Sequence, residues 1–133
     1  MRKITVKSLQ KKNWELTRKI IRLLRGDSCE LSDCQSGIGL QVDHCFSRTK
    51  RAIFYDLSNL TILCESCHLK KSFGQGDRIL KVFEHVEGRE GETKFIQLRK
   101  IAKQNKPFPN WSTKTYQEKI NKDLTKKLES LIK

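Results

Sequence analysis

The sequence predicts a small α+β protein: a two-stranded hairpin and a short helix tied together by a metal clasp, with one helix before them and three after. Three observations carry this. Four cysteines stand in two close pairs, Cys29 with Cys34 and Cys64 with Cys67. Short alternating stretches lie between the pairs, and outside them apolar residues recur at the helical period. The 133 residues fit one domain or a small core with helical extensions, since domains most often run to about 100–150 residues.

From about Lys7 to Arg25, the spacing of Trp14, Ile20, Ile21, Leu23 and Leu24 predicts an amphipathic helix, with Gly26 where a C-terminal cap belongs. The stretch CELSDCQSGIG has the turn-rich composition of a knuckle; Leu40 and Val42 then alternate with Gln41 and Asp43 as in a strand. NLTILC, from Asn59 to Cys64, reads as the returning strand, and ESCHLKKSFG as a short helix with Gly74 beyond its end. Two further helices are expected over Asp77 to Val86 and about Glu92 to Gln104. PFPNWS breaks the run and offers Ser112 as an N-cap for a last helix, whose Tyr116, Ile120, Leu124, Leu128 and Leu131 form one stripe. That stripe could serve a homodimer, although packing back on its own core is the more ordinary use. The chain therefore divides into a basic N-terminal helix (1–25), a metal-bearing core (26–74) and a helical extension (75–133).

Charge separates these segments. Lys and Arg number 28 against 15 Asp and Glu, a formal net charge of +13 that draws polyanions such as nucleic acid. Residues 1–25 hold nine basic residues and one acid, whereas 26–74 hold five against six. A near-neutral centre with basic flanks suits a catalytic core with phosphate-gripping arms. A membrane surface is the competing polyanion, but no apolar run approaches the about 18 residues a spanning helix needs, and the N-terminus lacks the apolar region of a signal peptide. A cytoplasmic protein, of a bacterium or a phage-infected cell, is expected.

In that compartment five cysteines point to metal rather than disulfides. Pairs separated by four and by two residues match the knuckles that bring thiolates onto one tetrahedral zinc. Cys29, Cys34, Cys64 and Cys67 are the expected ligands. Cys45 is left over, as a small buried apolar residue or a thiol near a site. The clasp also answers a size problem: about fifty residues with few large apolar groups bury little core, and structural zinc can contribute on the order of 10 kcal/mol.

Enclosed by the clasp is a second set of ligands. Asp43 offers a carboxylate and His68 an imidazole, a pair that suits Mg²⁺ or Mn²⁺ and leaves positions open for phosphate and water. Adjacent strand residues point to opposite faces, so Asp43 and His44 can share a site only if the strand ends or bends there. The polar loop CFSRTKR that follows permits it. His44, with an unperturbed pKa near ~6.5, is then a general base for water attacking phosphorus. Arg48, Lys50, Arg51, Lys70 and Lys71 lie in or beside this region as candidate DNA-binding residues. His85 has no partner that the sequence can name, and Trp14 and Trp111 read as packing residues.

The segments LQVDHCFSR and NLTILCESCHLKK together resemble the HNH (ββα-metal) endonuclease family, over about residues 29–74. The resemblance implies a zinc-clasped ββα-metal core in which Asp43 and His68 bind the catalytic cation, His44 activates water and Asn59 braces the loop that orients His44. It also implies cleavage of DNA to 5′-phosphate and 3′-hydroxyl ends. The four-residue gap in the first cysteine pair departs from the commoner two. A narrower likeness, over HCFSRTKRAIFYDLSNLTILCESCHLKKSFG and a late Tyr-Gln-Glu-Lys helix from Tyr116 to Lys119, is to the NinG (Rap) recombination proteins of lambdoid phages. It implies a nuclease acting on branched DNA such as Holliday junctions and D-loops, though His68 stands where those proteins carry Asn. The rival expectations are a site-specific homing or restriction nuclease of the same core, and a zinc-finger DNA-binding module without activity.

Overall fold

A computed structural model describes residues 4–133. Helix α1 (Val6–Arg25) opens on a reciprocal cap: the Thr5 hydroxyl accepts from the Ser8 amide at 3.1 Å while Ser8 Oγ accepts from the Thr5 amide at 3.2 Å. It stops at Gly26, whose φ of 92° lies where a side chain would be strained. Strands β1 (Gln41–His44) and β2 (Leu60–Leu63) form an antiparallel pair with His44 opposite Leu60 and Gln41 opposite Leu63. Helices α2 (Glu65–Ser72), α3 (Arg78–Glu90), α4 (Glu92–Lys103) and α5 (Lys114–Ile132) follow. No helix among the described residues is long and apolar enough to cross a membrane.

Strand β2 is buried on both faces, because the hairpin is sandwiched. Leu60 and Ile62 pack against Ile21 of α1 on one side. On the other, Leu63 joins the clasp cysteines, Val82 and Val86 of α3 and Phe95 of α4 in one core. The apolar stripe of α5 returns onto α1, where Leu124 packs with Ile20. At the same seam lies a buried polar knot: Asn13 Nδ2 donates to Gln117 Oε1 at 2.9 Å, and Tyr55 donates to the same oxygen at 3.0 Å. The stripe is thus engaged within the chain.

Two details depart from the sequence-based expectations. The last helix is capped by Thr113, whose hydroxyl accepts from the Tyr116 amide, and not by Ser112, which belongs to the single turn Pro109–Ser112. His85 does have a partner: its Nε2 lies 2.9 Å from Glu30 Oε1.

Glu30 is the hub of a buried charge network that the sequence concealed. Arg89, near the end of α3, donates to Glu30 Oε1 at 2.9 Å, to Thr61 Oγ1 at 3.3 Å, and to the carbonyls of Ser58 and Leu60 at 3.0 Å each. Five-donor guanidinium geometry explains why one side chain can staple α3 to the base of β2. The Arg89 and Glu30 side chains are only 16% and 8% exposed. Arg89→Met is therefore expected to destabilise the fold by about 3 kcal/mol, the cost of breaking a buried pair from one side. The shift of the urea midpoint at unchanged slope measures it; a loss of under about 1 kcal/mol, the value of an exposed pair, would contradict it.

Candidate active site

The clasp is built by two local devices. In the knuckle, the Cys29 amide donates to Ser36 O at 2.7 Å and the Cys34 amide to Leu31 O at 3.0 Å, which folds the first pair toward one point. In the second pair, Cys64 N-caps α2 and its Sγ accepts from the Cys67 amide at 3.4 Å. The four sulfurs all lie within 4.8 Å of one another, and Cys34 Sγ and Cys64 Sγ are 3.6 Å apart. A tetrahedral zinc with Zn–S of about 2.3 Å sets its sulfurs about 3.8 Å apart, so the donor set fits that ion. Arg78 adds an outer contact: Nη1 lies 3.8 Å from Cys67 Sγ while the guanidinium forks onto Asp33. A cation there suits four thiolates on one divalent ion, whose net charge is negative. Cys45 lies outside the cluster; it is buried in the core, which pushes its thiol up to about 12.

Strand β1 ends at His44 and the backbone bends at Cys45, so Asp43 and His44 line the same cavity, of about 920 Å³. His68, one turn into α2, faces Asp43 with Nδ1 3.0 Å from Oδ1. That separation is also the edge of an octahedron whose ligands stand about 2.1 Å from a cation. Asp43 Oδ2 is buried with no donor aimed at it, although Lys71 Nζ lies 2.9 Å away and donates to the His44 carbonyl. A buried carboxylate oxygen of this kind, with an imidazole beside it, is chemically suited to a divalent cation.

His44 sits in an aromatic slot. Its ring stacks on Trp14, with centroids 5.1 Å apart and planes 15° apart, and tilts against Phe54 at 4.4 Å. Burial pushes its pKa down to about 4, against weaker opposing effects of the Phe54 carbonyl and Asp43, so the ring is neutral at pH 7. The Phe54 carbonyl, 3.1 Å from Nε2, can only accept, which puts the proton on Nε2 and leaves the Nδ1 lone pair available. Asn59 is fully buried and holds the loop after β1 from inside: Oδ1 accepts from the Phe46 amide at 2.9 Å, and Nδ2 donates to the carbonyls of Phe46 at 3.2 Å and Ile53 at 3.3 Å. The loop that carries the Phe54 carbonyl is thus fixed relative to β2.

The basic candidates divide. Arg48 and Lys71 line the cavity with Asp43, His44 and His68. Lys50 and Arg51 line a separate cleft beside Phe108, and Arg51 lies over Trp111 with 4.5 Å to the ring centroid. Lys70 faces a third hollow, near Cys34 and Arg78. Trp14 packs against the core, as read from sequence, and also forms one wall of the site, as do Lys7 and Lys11 of the same helix. Nothing near Trp14 in the sequence signals this, because the contact spans thirty residues and depends on how α1 lies on the hairpin.

No curated protein and no solved structure matches the chain. A family model described as HNH endonuclease matches residues 29–74, the stretch that contains both the cysteine clasp and the Asp43, His44, Asn59 and His68 set. The similarity to that family model is confined to these residues, about a third of the chain.

Proposed function

We propose that the protein is a metal-dependent endodeoxyribonuclease in which Asp43 and His68 hold the catalytic cation, His44 is the general base and Asn59 is a positioning residue. The observation that carries this reading is the shared cavity: a buried carboxylate, an imidazole 3.0 Å from it, and a neutral histidine of defined tautomer beside them. His44 Nδ1 accepts a proton from water, the hydroxide attacks phosphorus in line, and the P–O3′ bond breaks, the departing O3′ taking a proton from solvent water, to leave 5′-phosphate and 3′-hydroxyl ends. Mg²⁺ or Mn²⁺, when bound, would neutralise charge on the phosphoryl group and the departing oxygen. Arg48, which lines the same cavity, would hold the phosphate. Asn59 keeps the Phe54 carbonyl on Nε2, and so keeps the basic nitrogen turned to water. Zinc on Cys29, Cys34, Cys64 and Cys67 holds the frame.

The likeness to the NinG (Rap) proteins supports branched DNA, such as Holliday junctions and D-loops, as the substrate. A second reading, a DNA-binding module without activity, draws on Lys71: an ammonium 2.9 Å from Asp43 Oδ2 is already a counter-ion for the carboxylate. Supercoiled plasmid with Mg²⁺ or Mn²⁺, with and without EDTA, separates the two. Metal-dependent nicking is expected; no cutting with either metal would favour the binding module. Preference for a four-way junction over linear duplex of the same sequence is the expected result for the branched substrate, and equal rates would remove it.

A further inference from the structure

The basic residues of α1 are not spread evenly around the helix. Lys7, Lys11, Trp14, Arg18 and Arg22 follow one another at intervals of four, three, four and four, which places them on one stripe. That stripe faces β1. Its first part, with Lys7 and Lys11, walls the cavity of Asp43 and His44. Its second part, with Arg18, Lys19 and Arg22, walls a second hollow of about 660 Å³ against Leu40 and Val42. The hollows share Trp14, Gln41 and Val42, so they adjoin along the groove between α1 and β1, with Trp14, stacked on His44, at their junction.

Among the described residues, no carboxylate lies within 4.0 Å of the cationic groups of Lys7, Lys11, Arg18 or Lys19. Arg22 differs, pairing with exposed Asp27 at 3.0 Å. The acid on the α1 wall is Glu15. Unpaired cations along the groove on both sides of a candidate phosphodiester centre have the charge to hold a polyanionic strand. From Lys7 to Arg22 the helix rises about 22 Å, which corresponds to about six to seven nucleotides of a B-form strand.

We infer that the α1–β1 groove is a DNA strand track, in which Lys7 and Lys11 bind phosphates on one side of the scissile bond and Arg18 and Lys19 bind them on the other. This deepens the nuclease reading and rests on it for the place of the scissile phosphate. The track lies mostly outside residues 29–74, on a wall that α1 supplies.

The test is binding, measured in EDTA so that no cleavage is needed, by fluorescence anisotropy of a labelled 20-nucleotide strand, alone and annealed to its complement. Replacing Lys7, Lys11, Arg18 and Lys19 together with Gln keeps helix propensity. It is expected to weaken binding at least 30-fold at 0.1 M salt and to reduce the salt slope by about three to four, one for each lost phosphate contact. The comparison variant replaces Lys119, Lys122, Lys126 and Lys127, all exposed on α5, with Gln. It removes the same charge and is expected to change affinity less than threefold. Should the groove variant unfold, the Lys7/Lys11 and Arg18/Lys19 double variants carry the test, each with a loss of at least fivefold. Equal affinities of groove variant and wild type, or equal losses in the two quadruple variants, would overturn the track. A groove-dependent affinity in a protein that never nicks plasmid would uphold the track and remove the nuclease. Nicking with groove-independent affinity would do the reverse.

Discussion

His44→Ala is expected to lower the rate of DNA cleavage by about 10²–10⁴, the usual contribution of a positioned general base, while leaving DNA binding in EDTA unchanged. The expectation rests on the ring's surroundings. Trp14 and Phe54 exclude water from both faces and hold the pKa down to about 4, so at neutral pH the imidazole is already in its basic form. The Phe54 carbonyl fixes the proton on the other nitrogen. Because the ring is 8% exposed, its removal also leaves a hole between the two aromatic side chains, and some loss of stability will accompany the loss of rate. Thermal unfolding and strand binding of the variant separate the effects: a folded variant that binds DNA but does not cut it upholds His44 as the base. A folded variant that cuts at the wild-type rate would end the proposed mechanism.

Stripping zinc is expected to have the largest effect on stability. The clasp cysteines are not an appendage; Cys29, Cys64 and Cys67 lie in the same core cluster as Leu63, Val82, Val86 and Phe95. Without a cation, four thiols within 4.8 Å of one another have no bond to hold them, and the knuckle has little apolar area of its own. Structural zinc contributes on the order of 10 kcal/mol in small domains, comparable with the whole stability of an ordinary domain, about 5–15 kcal/mol. Cys67→Ser, or treatment with a strong chelator, should therefore abolish the cooperative thermal transition. Cys45→Ala, outside the cluster, should retain one zinc per chain by metal analysis. Cooperative unfolding of the metal-free protein at the same temperature as the zinc form would show that the clasp is dispensable.

Local rules made much of this fold legible. Helical periodicity located α1, α4 and α5, and cysteine spacing located the cluster, because both depend on residues a few positions apart. The polar loop after His44 permitted the bend that is found at Cys45. What sequence could not supply is contact made by helices crossing at a distance. Trp14 on His44, His85 and Arg89 on Glu30, and Arg51 over Trp111 each join elements whose relative placement is decided by packing alone. The cap of α5 failed for a subtler reason. Ser112 and Thr113 are both good caps, and the tight turn over Pro109–Ser112 fixes which of them begins the helix. Lys71 was legible as a cation near the site, but not as one tied to Asp43 and the His44 carbonyl.

Cys64 opens α2 and also lies in the sulfur cluster, and His68 follows Cys67 directly on that helix. The imidazole that faces Asp43 therefore rides on the same short helix that the sulfur cluster anchors. On the proposed function, loading would then be ordered, with zinc on the thiolates before a hard ion on Asp43 and His68.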